Sequence, residues 1–306
     1  MSNALAITGL TGKSGIVLAE QIAANRDLID REFPLGIRAI IRTTTDTDAL
    51  EKLLPNIQKA VGELTDVSFL KKALDNVDTL IHIAGIHWSR EIVTAAASCG
   101  VRRLILVHTT GIYSKYKYAG EEYRQIDSFV YETCRKHGII LTILRPTMIY
   151  GTTSDSNVCV FIKMVDRFPI MPVVNGARYE LQPVHCRDLG IAYFSVLLNE
   201  ANTANRDFNL SGGAPIYLRD MFSTIGKELG KKVYFFSVPY WIAYPGAVCL
   251  YGLSLGRMDF RERVQRLCEP RVFDHSEATK AFGYKPVTFD KGIVAEVKEY
   301  LKGKSK

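Results

Sequence analysis

The chain has 306 residues, 47% of them hydrophobic and 23% charged, and its 39 basic and 32 acidic side chains give a formal net charge of +7. This apolar content excludes a disordered, collagen-like or coiled-coil chain, and no repeat of roughly 20 to 50 residues is present. The basic excess favours anionic partners, and its dispersal along the chain points to a phosphorylated small molecule and away from nucleic acid.

Strand-like and helix-like stretches alternate through residue 145. Ala4 to Thr8 reads as a strand and Ile16 to Ala24 as a helix. Ile37 to Ile41 and Ile57 to Val61 are strand-like, and Phe69 to Leu74 is helical. Asp78 to Ile83 is a fourth strand. Glu91 to Cys99 is an Ala-rich helix that Gly100 stops. Leu104 to Val107 is a buried strand, Glu121 to His137 a helix with Gly138 past its end, and Ile139 to Leu144 a sixth strand. Near-continuous apolar strands separated by helices predict a parallel sheet covered on both faces. The fold class is therefore α/β, a doubly wound parallel sheet over residues 1–150 that a segment at about 182–210 completes. The texture changes after Arg145-Pro146, and residues 151–181 and 211–306 are assigned to a smaller α/β lobe.

Residues 233–256 carry no charge. The length suffices to span a bilayer, but Pro239, Pro245, Gly246, Gly252 and Gly256 interrupt it. The main expectation is a strand followed by a buried helix, and the alternative is a spanning or membrane-touching element. The six cysteines, Cys99, Cys134, Cys159, Cys186, Cys249 and Cys268, form no CxxC pair. Structural zinc and dithiol chemistry are not expected, and a reducing compartment is. A strand pattern at the N-terminus predicts a chain without a secretory leader, hence a cytoplasmic one.

The strongest motif is Thr8-Gly9-Leu10-Thr11-Gly12-Lys13-Ser14-Gly15, between the first strand and the first helix. Gly9 permits a tight turn, Gly12 lets backbone approach a pyrophosphate, and Gly15 allows close helix–strand packing. The helix N-terminus adds amide donors and partial positive charge. A P-loop reading of Gly12-Lys13-Ser14 fails because Ile7 stands where that loop has a small residue. Arg42 ends the second strand, where an acidic residue would hold the ribose hydroxyl of NAD. An Arg there favours NADP and leaves NAD as the alternative, with Lys13 a second cation for the 2′-phosphate.

Together these pieces resemble the short-chain dehydrogenase/reductase superfamily, in particular its extended and atypical, epimerase/dehydratase-like branch. Further pieces stand in the family's order: Val61-Gly62-Glu63-Leu64-Thr65-Asp66, Ile81-His82-Ile83-Ala84-Gly85, Leu106 to Tyr113, Leu144-Arg145-Pro146 to Gly151, and Gln182 to Leu189. Phe208-Asn209-Leu210 and Ala281 to Pro286 match elements of the C-terminal lobe. The resemblance implies a Rossmann NAD(P)-binding domain with a substrate-binding lobe. It places Glu63 and Leu64 at the adenine, Ile83, Ala84 and Gly85 beside the cofactor, and Thr109 at the substrate oxygen.

The family's chemistry also needs Tyr and Lys four apart on a helix. Tyr113 and Lys117 have that spacing but follow the strand too soon, and chance alone supplies about one such pair in this composition. Alignment back from His137-Gly138 puts the tyrosine at Tyr118 or Ala119 and the lysine at Glu122 or Tyr123. Tyr118 is then the candidate acid/base and Tyr123 a ribose contact, with Lys115 or Lys117 reaching in from the loop. His87 either faces substrate or is structural, and packing is the expectation for His108. Arg145 meets either a phosphate or a buried carboxylate. Arg257, Arg261, Arg263, Arg266 and Arg271 form either a pyrophosphate clamp or a solvated helix face. The implied activity is that of an NAD(P)-dependent oxidoreductase or epimerase/dehydratase acting on a sugar nucleotide or similar hydroxyl/carbonyl compound, as a monomer or homodimer. The alternative is an NADP(H)-binding regulator or assembly protein without turnover.

Overall fold

The structure, a computed structural model, describes residues 3–168 and 170–304. Its first half runs β1 (Ala4–Thr8), α1 (Lys13–Ala24), α2 (Arg26–Glu32), β2 (Ile37–Ile41), α3 (Asp48–Leu53), β3 (Gln58–Val61), α4 (Val67–Ala73), β4 (Val77–His82), α5 (Ser89–Cys99), β5 (Arg103–Val107), α6 (Gly120–His137) and β6 (Ile140–Pro146). The second half continues β7 (Ile149–Tyr150), α7 (Val158–Arg167), β8 (Ile170–Val174), β9 (Glu180–Leu181), β10 (Val184–His185), α8 (Cys186–Leu198), α9 (Glu200–Thr203), β11 (Arg206–Leu210), β12 (Ile216–Tyr217), α10 (Leu218–Glu228), β13 (Tyr234–Val238), α11 (Tyr240–Leu253), α12 (Arg261–Leu267), α13 (Ser276–Phe282) and α14 (Phe289–Lys304).

Seven strands form one parallel sheet in the order β11-β6-β5-β4-β1-β2-β3. The doubly wound α/β sheet predicted from the strand runs is thus present. Period-2 alternation shows why both faces are apolar. Leu5 and Ile7 point into a core shared with Leu18 and Ile22 of α1 and Leu189 and Tyr193 of α8. Ala4 and Ala6 point the other way, into a core with Leu70, Ile92, Val93 and Val130 of α4, α5 and α6. Gly100 and Gly138 end α5 and α6 in the left-handed conformation, as expected of their positions.

Within the first half, the helices not anticipated are α2 and α3. Each buries one side chain within its span, Ile29 and Leu50 respectively, so neither carries a periodic stripe. Phe208-Asn209-Leu210 does not lie in a separate lobe. It belongs to β11, the seventh strand, beside β6 in the main sheet. Ala281, Phe282 and Tyr284 likewise pack into the core over that sheet. A third core joins Val158 and Ile162 of α7, Met171 and Val173 of β8, Phe222 of α10 and Ile293 of α14.

The segment 233–256 does contain a strand and a helix, β13 and α11. The expectation of burial fails, because Ala247 is the buried residue of α11. Among the described residues no helix is long and apolar enough to cross a membrane.

Candidate functional site

The carboxyl ends of β1 to β4 build a cleft at the point where strand order reverses, between β1 and β4. Gly9 turns with φ +73°, and a Cβ there would sit 2.9 Å from the Ala84 amide nitrogen. A Cβ on Gly15 would sit 2.2 Å from the Gly9 carbonyl oxygen, so α1 starts hard against the loop. Gly12 caps α1 in extended conformation, and no side chain caps the first turn. The turn's amides are free for an anion. Buried His82 fixes this geometry. Burial pushes its pKa down to about 4, so the ring is neutral. Its Nε2 donates to the Gly85 carbonyl at 2.9 Å and its Nδ1 accepts from the Thr8 hydroxyl at 2.6 Å.

A cavity of about 310 Å³ opens there. Gly9, Thr11, Gly12, Arg42, Glu63, Leu64 and Ala84 line it, so seven of the residues singled out in the sequence are brought together, and Trp88 joins them. Ser14 is buried in α1, Gly15 is packing, and Ile83 donates its amide to the Thr8 carbonyl at 3.1 Å. Lys13 does not join Arg42. Its charge acts instead on Cys186 and Glu296, on α8 and α14.

A second cavity, of about 400 Å³, lies over the ends of β5 and β6. Both volumes are in the range of small-ligand sites. Thr109, Tyr113, Lys117, Tyr123, Gln182, Arg266 and Arg271 are on its wall. Thr109 Oγ1 accepts from the Gly111 amide at 2.9 Å. Tyr118 is not on this wall. It is exposed on the surface, and its amide donates to Glu262 at 3.2 Å. Tyr113, whose ring lies 5.5 Å from that of Phe273, is on the wall although its spacing to Lys117 read as chance. Lys117 does reach in from the loop, with Nζ 3.5 Å from Glu262. Burial raises the phenol pKa of both Tyr113 and Tyr123, and Glu122 adds to the rise at Tyr123. Both phenols are therefore donors at neutral pH. His87 lines neither cavity; it lies 2.9 Å from Glu122 and edge-on to the Tyr123 ring.

The five C-terminal arginines divide. Arg257 and Arg263 are exposed, and Arg261 pairs with Asp259 at 2.7 Å. Arg266 pairs with Glu262 at 3.3 Å. Arg271 differs from all of these. Burial, with the neighbouring Arg266 charge, pushes its pKa down to about 10. Its Nε lacks a hydrogen-bond partner, and it forms no ion pair with a described residue. A half-buried cation with no ion pair to a described residue, and only the Glu269 charge favouring it, is better stabilised when a ligand supplies an anion. Of the wall residues, Asn157 and Glu269 had no sequence signal.

Behind Thr109 runs a buried polar chain. The His108 Nδ1 donates to Asp127 at 2.7 Å and its Nε2 accepts from Ser89 at 3.0 Å. Arg145 contacts the buried Asp127 at 2.6 Å and the more exposed Asp207 at 2.7 Å, which answers its sequence ambiguity in favour of carboxylates.

A model of the NAD(P)H-binding family matches residues 9–163, just over half of the chain. The chain belongs to that family. Its match covers the glycine loop, Arg42, Glu63 and Thr109. A curated relative from Escherichia coli O157:H7, N-acetyl-alpha-D-glucosaminyl-diphospho-ditrans,octacis-undecaprenol 4-epimerase, is 20% identical over 76% of this chain and 80% of its own. The UDP-glucose 4-epimerase of Vibrio cholerae is 19% identical over 100% of this chain and 98% of its own. Among solved structures, dTDP-glucose 4,6-dehydratase from Streptomyces venezuelae, with NAD bound, superposes with TM-score 0.75 at 16% identity, covering 99% of this chain and 98% of that one. At this identity the likeness shows the fold, which is the NAD(P)-binding, epimerase/dehydratase-like one that the motifs resemble.

Proposed function

We propose that this family member is an NADP-preferring enzyme that oxidises, reduces or epimerises a hydroxyl/carbonyl carbon of an anionic substrate, a nucleotide-sugar being the best match. The observation that carries this reading is Arg271. It is a half-buried guanidinium, without an ion pair to a described residue, in one cavity with Thr109 and two phenols, along the same sheet edge as the glycine loop. Residues 1–150 with about 182–210 would hold the cofactor, and 151–181 with 211–306 the substrate.

The loop fits a dinucleotide, because cradles that a Cβ would fill at Gly9 and Gly15 leave backbone amides open at the start of α1. Gly9, Thr11 and Gly12 would hold its pyrophosphate, Glu63 and Leu64 its adenine, and Arg42 a 2′-phosphate. When bound, a nicotinamide supplies a hydride donor or acceptor. Thr109 orients the substrate oxygen. The Tyr113 phenol, in place of the exposed Tyr118, holds the proton beside that oxygen. Tyr123 holds the ribose edge, and Arg271 with Arg266 neutralises the substrate's phosphate.

A second reading rests on the phenols. Raised pKa values, and the absence of Lys from the first turn of α6, suit binding without turnover, as in an NADP(H)-binding regulator.

Calorimetric titration with NADPH and NADH, beside Arg42→Ala, tests the cofactor assignment. The expected result is tighter NADPH binding, with about a tenfold loss in the variant, the loss of one charged contact. Binding of neither nucleotide would sink both readings. Binding without activity that Tyr113→Phe or Thr109→Ala can abolish, across a nucleotide-sugar screen, would select the second.

A further inference from the structure

Residues 229–258 contain no acidic side chain. Within them, β13 pairs in parallel with β8, Tyr234 opposite Ile170 and Phe236 opposite Pro172. All four are exposed on one face of the two-stranded ribbon, while Met171 and Val173 are buried on the other. Pro239 joins this ribbon directly to α11, so the two surfaces are continuous. Along and just beyond α11, Trp241, Leu253 and Leu255 are 73%, 85% and 89% exposed. A helix apolar on every side but with one buried residue has no partner in the core. A free monomer rarely leaves so much contiguous apolar surface in water.

The surroundings of the patch identify the cover. Lys232, Arg257 and Arg263 are exposed, and none forms an ion pair with a described residue. Arg167 lies over the Phe168 ring, at 5.4 Å to the centroid. The patch is thus an apolar centre rich in Trp and Tyr with basic groups beside it. A second copy of this chain in a two-fold contact would bring like charges together. An acidic phospholipid surface meets both requirements, accepting the apolar side chains below its headgroups and pairing the cations with phosphates. At fourteen residues, with Pro245 and Gly246 inside it, α11 is too short to cross.

We propose that the surface formed by β8, β13 and α11 seats the protein on an anionic lipid bilayer, with α11 lying in the headgroup region. The inference does not depend on the proposed catalytic function. Because α12 packs against α11 and carries Arg266 on the wall of the second cavity, that cavity stands one helix away from the lipid surface.

The test is flotation of the purified full chain with vesicles of phosphatidylcholine alone and of phosphatidylcholine with phosphatidylglycerol. The protein should float with the anionic vesicles and largely remain behind with the neutral ones. In a Trp88→Phe background, Trp241 emission should move to shorter wavelength on anionic vesicles. Leu253→Ser with Leu255→Ser, and separately Arg257→Glu with Arg263→Glu, should each lower the partition coefficient by about tenfold or more. These four side chains are exposed, and unchanged thermal melts would establish that the variants fold. No flotation with anionic vesicles overturns the proposal, as does equal flotation of folded variants and wild type. So does a concentration-dependent dimer, dissolved by the leucine variants, in a protein that ignores both vesicles.

Discussion

Arg271 is where one side chain's environment has the most to say. Its backbone amide is anchored to the Glu180 carbonyl at 2.8 Å, so the chain is held there, while the guanidinium forms no ion pair with a described residue and has only the Glu269 charge in its favour. The cost of that arrangement falls on the free protein and is recovered when an anion enters. Arg271→Met should therefore raise the melting temperature of the free protein by a few degrees while weakening binding of uridine diphosphate by tenfold or more. NADPH binding should be unchanged. Parallel thermal melts and titrations check both halves, and a variant that melts lower and binds equally well contradicts the role. Nothing in the residue's sequence neighbourhood separates it from Arg257, Arg261, Arg263 and Arg266. Its distinction is a place on the cavity wall without an ion pair to a described residue, and that depends on segments far away in the chain.

At the scale of elements, α1 is the part whose position matters most. It packs along α8, and its first turn closes on the glycine loop with Gly15 against the Gly9 and Leu10 carbonyls. Both contacts are backbone, so an added methyl cannot be absorbed by a rotamer change. Gly15→Ala should cost about 1–3 kcal/mol of stability, as overpacking does, and weaken NADPH by displacing the amides of the first turn. Chemical denaturation and calorimetry would show it, and a variant with native stability and affinity would mean that α1 has slack. This part of the site was legible from the sequence because the spacing of Gly9, Gly12 and Gly15 encodes a local turn. The tyrosine was not. Tyr118 and Tyr113 differ in which way the loop after β5 turns, and that is decided by Glu269 and Glu262. These accept from the Ser114 hydroxyl at 2.6 Å and the Tyr118 amide at 3.2 Å, from about 150 residues away.

Over the whole molecule, two buried groups set opposite limits on stability with pH. Glu296 of α14 accepts from the Gly151 amide at 2.9 Å through Oε2. Its Oε1 and the Oδ2 of Asp155 have no other donor, so the two carboxyls share a proton. Burial, with Asp155, pushes Glu296 from 4.5 up to about 9. The folded state retains a proton that the unfolded chain loses, so stability falls as pH rises from 4.5 toward 9. His82 runs the other way, its pKa moved down from 6.5 to about 4, so stability falls as pH drops through that interval. Melting temperature should peak in mildly acidic solution. Glu296→Gln, whose amide can donate to Asp155, should flatten the alkaline limb and gain a few degrees at about pH 8. A variant that loses stability equally at every pH would rule out the shared proton.

The sequence by itself determined the parallel sheet, the order of its first six strands along the chain, the glycine loop and Arg42 at the end of the second strand. Those features rest on local periodicity, on turn chemistry and on the general geometry of parallel strands. Tertiary structure alone decided that Ala281 and Phe282 pack over the main sheet and that Arg145 faces Asp127 and Asp207. It also decided that Tyr113 and not Tyr118 reaches the cavity, that Arg271 stands on its wall without an ion pair to a described residue, and that α11 is uncovered. Each of these depends on which distant segments meet. Desolvation, ion pairing and cavity walls arise only from such meetings, whereas a residue's own neighbours carry the turn and the period.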